Sequence, residues 1–355
     1  MPTAGRPLLQ VEDLKVHFPV RRGALFQRTV GTVKAVDGVS FEIARGSVMG
    51  LVGESGCGKT TIAQAILKLI APSSGRILFD GADIQGFDKS AETSFRRRVQ
   101  AVFQDPYSSL NPRMSVREIV GEPLIIHRRA KDRRGVGKAA IEERVRELLD
   151  LCGLPARMIE RYPHEMSGGQ RQRIGIARAL ALEPDLVVCD EAVSALDVSI
   201  QAQVINLLED LKDELGLTYL FIGHDLSVVK HLCDHVVVLY LGRVAEQGDS
   251  DALFAEPRHP YTQALLEAVP IPDPGAEAAR AHKTVTGEIP SPLDPPSGCV
   301  FRTRCPIAAD SCASSIPTVE TVGPDHGAAC LRLDYTSPSS RTVPPEPAME
   351  APRPA

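Results

Sequence analysis

The chain has 355 residues, 43% hydrophobic and 24% charged, enough for one large domain or two with a sizeable core. Forty Lys and Arg against forty-five Asp and Glu leave a net charge of -5, so no global basic field marks it for nucleic acid. No apolar run approaches the ~20 residues that a membrane-spanning helix needs, and residues 1–20 lack a signal peptide's apolar stretch. The expectation is a cytosolic protein, its eight Cys reduced or metal-bound rather than disulfide-bonded.

From residue 8 to 269 apolar strand-like runs alternate with helical patterns. Strands are predicted at Val48–Val52, 186–189, 217–223 and 236–240, and helices at 61–70, 139–151, 169–182 and Val198–Leu215. Runs this apolar read as strands buried on both faces, so the fold class is α/β with a mostly parallel core sheet. Residues 105–165 turn to helix and polar loop and are expected to form an inserted helical subdomain. Its basic run, residues 128–134, invites a nucleic-acid or lipid-surface reading, but without interleaved aromatics it reads as a solvated loop. A Pro-rich extension follows over 270–335 with four of the Cys. The tail, 336–355, holds six Pro and should be disordered.

Three motifs carry chemistry. Gly53, Glu54, Ser55, Gly56, Cys57, Gly58, Lys59 and Thr60, followed by Thr61, match G-x-x-x-x-G-K-[ST] between a predicted strand and helix. Glycines let backbone N–H groups point inward around phosphates, and the helix N-terminus adds a favourable dipole. Lys59 would neutralise the β- and γ-phosphates, and the Thr60 hydroxyl would reach Mg²⁺. This chain is expected to bind a nucleoside triphosphate. At the end of the 186–189 strand, Asp190 would hold Mg²⁺ and Glu191 would polarise the attacking water. His224 follows another apolar strand and could sense the γ-phosphate by hydrogen bond.

Met166-Ser167-Gly168-Gly169-Gln170 resembles the signature of ATP-binding cassette (ABC) proteins, with Met in place of the usual Leu. The resemblance implies a P-loop NTPase cassette over 8–269. In that family Ser167, Gly168, Gly169 and Gln170 serve the nucleotide of a second subunit, as does Asp197 of the Ser194–Asp197 segment. It also makes Gln104 a Mg²⁺ and water ligand, His224 the switch histidine, and Phe18 the ring that stacks on adenine, although Phe18 could equally be core. Ala192 stands where the family usually has Pro.

The runs 103–114, 161–164, 195–203 and 259–266 are similar to those of ATPase subunits of oligopeptide/dipeptide and related nickel importers, and residues 170–173 and 193–194 to the second of the two ATPases such importers carry. That resemblance implies ATP hydrolysis that energises separate membrane subunits. It implies two permease subunits, an extracytoplasmic binding protein and a second ATPase, a paralogue before a homodimer, with this chain peripheral on the cytoplasmic face of the membrane. Single motifs and the absence of repeats argue against a tandem translation-type ABC ATPase, and residues 105–165 are too short for the long coiled coil of a soluble DNA-repair type.

In the extension Cys299, Cys305, Cys312 and Cys330 read C-x5-C-x6-C-x17-C, with His326 as a possible substitute ligand. The spacing leaves a [4Fe–4S] cluster, Zn²⁺ or free thiols open. The resemblance favours the cluster. Cys57, Cys152, Cys189 and Cys233 read as packing or loop residues.

Overall fold

The computed structural model describes residues 6–22, 28–104, 109–127, 137–194, 196–269 and 287–336. The 128–134 basic run, residues 105–108, Ala195, the prolines of 270–274 and the tail beyond 336 lie outside them.

The chain opens with two long strands, β1 (Leu9–Arg22) and β2 (Arg28–Ile43), paired antiparallel through several register shifts. Strand β3 (Val48–Val52) then enters the interior with every residue buried and leads into helix α1 (Lys59–Ile66). Strands β4 (Ser74–Phe79) and β5 (Ala82–Asp83) complete a four-stranded sheet in the order β2-β1-β4-β5. Helix α2 (Lys89–Arg98) is capped by Asp88, whose carboxylate accepts from Ala91 N–H, and runs straight into β6 (Val99–Val102).

Two helices follow β6 in the chain. Helix α3 (Val116–Ile126) starts with a capping box between Ser115 and Glu118, and α4 (Lys138–Leu151) buries Val145, Leu148 and Leu149 at helical spacing. Both pack with α5 (Gly168–Leu180). Strand β7 (Leu186–Asp190) and helix α6 (Val198–Leu215) follow, the helix ending at Gly216 with φ 65°. Next come β8 (Thr218–Ile222), α7 (Leu226–Leu232), β9 (His235–Tyr240), β10 (Arg243–Asp249), α8 (Ser250–Ala255) and α9 (Pro260–Glu267).

The strands beyond residue 310 continue the core sheet. After the short helix α10 (Ser311–Ser314), strands β11 (Glu320–Gly323) and β12 (His326–Ala328) pair with each other, and β12 pairs antiparallel with β10, Gly248 opposite His326. The core sheet therefore has eight strands in the order β11-β12-β10-β9-β3-β8-β7-β6, parallel from β9 to β6. Further back, Leu293 packs over Gly31, and Lys34 N–H donates to the Pro292 carbonyl at 3.3 Å. No helix among the described residues is long and apolar enough to cross a membrane.

Strand order decides the chemistry. Parallel strands β3, β8, β7 and β6 lie side by side, so their C-terminal ends deliver the 53–58 loop, His224, Asp190–Glu191 and Gln104 to one edge.

Candidate functional site

The loop after β3 is shaped by three glycines with positive φ: Gly53 at 146°, Gly56 at 78° and Gly58 at 107°. A Cβ on Gly53 would stand 2.2 Å from the Leu239 carbonyl oxygen, and one on Gly58 2.4 Å from that of Ala35. The loop is thus pressed between β9 and β2. Ser55 and Gly56 face solvent at its tip, while Cys57 and Lys59 are buried. Thr60 is exposed and Thr61 half-buried at the start of α1. Lys59 Nζ donates to the carbonyls of Gly53 (2.7 Å) and Glu54 (3.1 Å), which hold the ammonium inside its own loop.

Asp190 sits opposite that loop. Its carboxylate accepts from the Thr60 hydroxyl at 3.4 Å. Burial and the adjacent Glu191 charge raise the Asp190 pKa, partly opposed by Thr60 and Lys59. A hydroxyl and a crowded carboxylate are hard oxygen donors that suit Mg²⁺. That ion takes only one or two carboxylates beside phosphate and water, so no larger acidic cluster is required.

Glu191 occupies the centre of the row. Gln104 Nε2 donates to its carboxylate at 2.7 Å, and His224 Nδ1 lies 3.9 Å from the same oxygen. Its backbone is left-handed, φ 48°, a costly conformation for a residue with a Cβ. Glu191 N–H donates to Ile222 O at 3.0 Å, while its carbonyl accepts from Ser194 N–H (3.1 Å) and Ser194 Oγ (3.0 Å). Ala192 is buried immediately after it.

The Ser167–Gln170 segment is a helix start of high order. Ser167 Oγ accepts from Gln170 N–H at 3.3 Å, and Gln170 Oε1 accepts from Ser167 N–H at 3.1 Å. Gly169 lets α5 approach α6, since a Cβ there would stand 2.4 Å from Ile200 Cγ2, and Gly168 faces Leu196. Asp197 is the exposed N-cap residue of α6. Among the described residues no hydrogen bond or ion pair joins 167–170 to the 53–60 loop. Phe18 lies on β1 at 42% exposure, which removes the core alternative for its ring.

Two regions of the chain match family models: "ABC transporter" over residues 36–194 and "Oligopeptide/dipeptide transporter, C-terminal region" over 245–312. A peptide import ATP-binding protein of Brucella ovis is 55% identical over 92% of this chain and 98% of its own. The oligopeptide transport ATP-binding protein AppF of Bacillus subtilis is 51% identical over 91% of this chain and 96% of its own. The chain belongs to the ATP-binding subunits of ABC transporters, in the oligopeptide/dipeptide family. Among solved structures, this ABC cassette is similar to cbiO1 of Clostridium perfringens, part of the transporter complex cbiONQ. The TM-score is 0.60 and the identity 30%, over 70% of this chain and 91% of that one. It is also similar to the cassette MJ0796 in a dimeric structure bound to ADP and Pi, with TM-score 0.59 and 27% identity over 68% and 98% of the two chains.

The four extension cysteines bear on one expectation. Among the described residues no three His, Cys, Asp or Glu side chains are arranged to hold a metal ion, so the expected [4Fe–4S] or Zn²⁺ centre is not preformed. His326, the possible substitute ligand, is buried with its Nε2 bonded to Glu246 at 2.7 Å. Cys299, Cys305, Cys312 and Cys330 are free, and Cys299 N–H donates to the Cys312 carbonyl at 2.8 Å. Burial, reinforced by the neighbouring thiols, pushes Cys305 up to about 12 and Cys330 to about 11. Those two thiols stay protonated near neutral pH. Cys57, Cys152, Cys189 and Cys233 are buried packing residues, as expected.

Two residues that touch the phosphate loop escaped the sequence reading. Tyr261 Oη accepts from Glu54 N–H at 2.8 Å, and Arg304 grips the Glu54 carboxylate at 2.7 and 3.1 Å. The only signal for Arg304 was its place beside Cys305.

Proposed function

We propose that this chain is the ATP-hydrolysing subunit that energises a membrane importer of oligopeptides or dipeptides. One observation carries the chemistry: the phosphate loop, Asp190, Glu191, Gln104 and His224 meet at adjacent ends of β3, β7, β6 and β8. The family of its relatives supports the cargo.

In this reading Lys59 leaves the Gly53 and Glu54 carbonyls for the phosphates, and Thr60, Asp190 and Gln104 hold Mg²⁺. The ion, when bound, offsets charge on the β- and γ-phosphate oxygens. Glu191 accepts a proton from the attacking water, with Gln104 and His224 orienting its carboxylate and the γ-phosphate. Phe18 stacks on adenine. Ser167, Gly168, Gly169, Gln170 and Asp197 complete the site of a second ATPase subunit, a paralogue. ATP draws the two cassettes together, and the 105–165 insertion passes that motion to two permease subunits at the cytoplasmic face of the membrane. An extracytoplasmic binding protein delivers the cargo. We carry the four extension cysteines as a proposed [4Fe–4S] site, with Zn²⁺ as alternative, supported by the mutual proximity of their thiols. Iron and acid-labile sulfide in anaerobically purified protein test it, and zinc alone would refute the cluster.

Glu191→Gln in the assembled complex should keep ATP binding, lose roughly 100-fold or more of turnover, and trap a closed cassette dimer. Near-wild-type hydrolysis would refute the assignment of the base. Stimulation of wild-type turnover by a peptide-loaded binding protein tests the cargo; stimulation by a nickel-loaded one instead would overturn the peptide reading.

A further inference from the structure

The phosphate loop is gripped from outside the cassette. Glu54, its second residue, is held at three places: its N–H by Tyr261 Oη, its carbonyl by Lys59 Nζ, and its carboxylate by Arg304. Arg304 lies 250 residues further along the chain, in the Cys-rich extension, and its side chain is only 7% exposed. The guanidinium also donates to Tyr240 Oη at 3.3 Å.

The turn that presents Arg304 is itself anchored. Arg304 N–H donates to the Phe301 carbonyl at 2.9 Å, and the Phe301 ring is buried against Tyr240, Tyr261 and His259, with centroids 5.1, 5.4 and 5.6 Å away. Tyr240 ends β9, the strand beside β3, and Tyr261 lies in the first turn of α9. The extension thus reaches the loop through an aromatic block seated on the core sheet.

Charge gives this contact a purpose. A carboxylate is out of place in a loop whose backbone and Lys59 are built to collect a triphosphate's negative charge. Two parallel hydrogen bonds from a planar guanidinium neutralise it and fix its direction. Releasing Glu54 would turn an anion loose at the mouth of the site and unsettle the peptide that Lys59 leans on.

We propose that Arg304 is a positioning residue for nucleotide: by holding and neutralising the Glu54 carboxylate, the C-terminal extension sets the affinity of the phosphate loop for MgATP. The proposal rests on the ATP-binding reading above.

Equilibrium MgATP binding to the purified full-length chain tests it. Arg304→Gln should weaken binding about tenfold, and less at high salt, where the freed charge is screened. Adding Glu54→Gln to that variant should bring affinity back to within about threefold of wild type, a rescue that mere loss of packing would not allow. Wild-type affinity in Arg304→Gln, or a double variant as weak as the single one, would overturn the proposal. If Arg304→Gln fails to fold by circular dichroism, Glu54→Gln alone decides: it should bind MgATP at least as tightly as wild type, and weaker binding overturns the proposal. A wild-type chain that binds no MgATP would instead overturn the ATP reading itself.

Discussion

His259 should make the fold acid-labile within a defined window. Its ring is buried at 3% exposure, and its Nδ1 accepts the Tyr261 N–H at 3.0 Å. That bond needs a lone pair on Nδ1, so the neutral ring carries its proton on Nε2. Burial pushes its pKa down to about 4, with the Glu246 carboxylate pulling partly back, against 6.5 for the free side chain. Between these values the unfolded chain binds a proton that the folded chain refuses. Stability is therefore complete above about pH 6.5 and is lost as the pH falls toward 4, by on the order of 3 kcal/mol over the whole window. About 2 kcal/mol of that should disappear between pH 7 and 5. Burial and the nearby Arg97 and Arg96 also lower the pKa of His127, which gives it the same sign, so the test must isolate His259. His259→Asn offers Tyr261 an acceptor that does not titrate. Urea unfolding of both proteins, without nucleotide, should give stability curves that converge by about 2 kcal/mol from pH 7 to pH 5. Curves that stay parallel would refute the reasoning.

Removing His326 should loosen the extension. Glu246 is fully buried and accepts from His326, from Arg258 N–H at 2.6 Å and from His259 N–H at 2.8 Å. His326→Ala leaves two of three donors, and the expected loss is about 2–3 kcal/mol, measured by urea unfolding, with His326→Gln recovering part. Gly53→Ala combines a φ of 146° with a 2.2 Å approach to Leu239 O. It should weaken MgATP binding roughly tenfold or more in titration while the rest of the chain stays folded.

How much of this could be read beforehand depends on how local each signal is. Strand Val48–Val52 and helix Val198–Leu215 were legible to the residue, because an unbroken apolar run and an amphipathic stretch closed by Gly216 need no distant partner. The row of Gln104, Glu191 and His224 was legible as motifs. Their meeting on one carboxylate was not, since it depends on the order of β6, β7 and β8. The long pair β1 and β2 went unread because its register shifts repeatedly between Val11 and Arg21, which blurs the two-residue alternation. Strands β11 and β12 were missed for another reason: the Glu320–Gly323 segment is polar and short, and its partner strand β12 pairs with β10 from far along the sequence. Contacts such as Glu54 to Tyr261 and Arg304 span 207 and 250 residues, beyond any local pattern. The thiols point the same way: four cysteines in a proline-rich segment suggested a coordination site, but whether their side chains converge is set by folding and not by spacing.

The pairing of β12 onto β10 has a consequence for how the protein behaves in a crowded solution. Without it, β10 would end a six-stranded sheet with a row of unpaired backbone groups next to a largely apolar β9. Such a border is a template on which another molecule can grow. The extension moves the border outward to Glu320–Gly323, four residues long, with an exposed acid and threonine. It thereby works as a stopper that keeps the sheet finite. A fragment cut after residue 269 should retain every nucleotide motif yet aggregate on concentration, and a remedy would be sought at the naked strand edge, far from the ATP site.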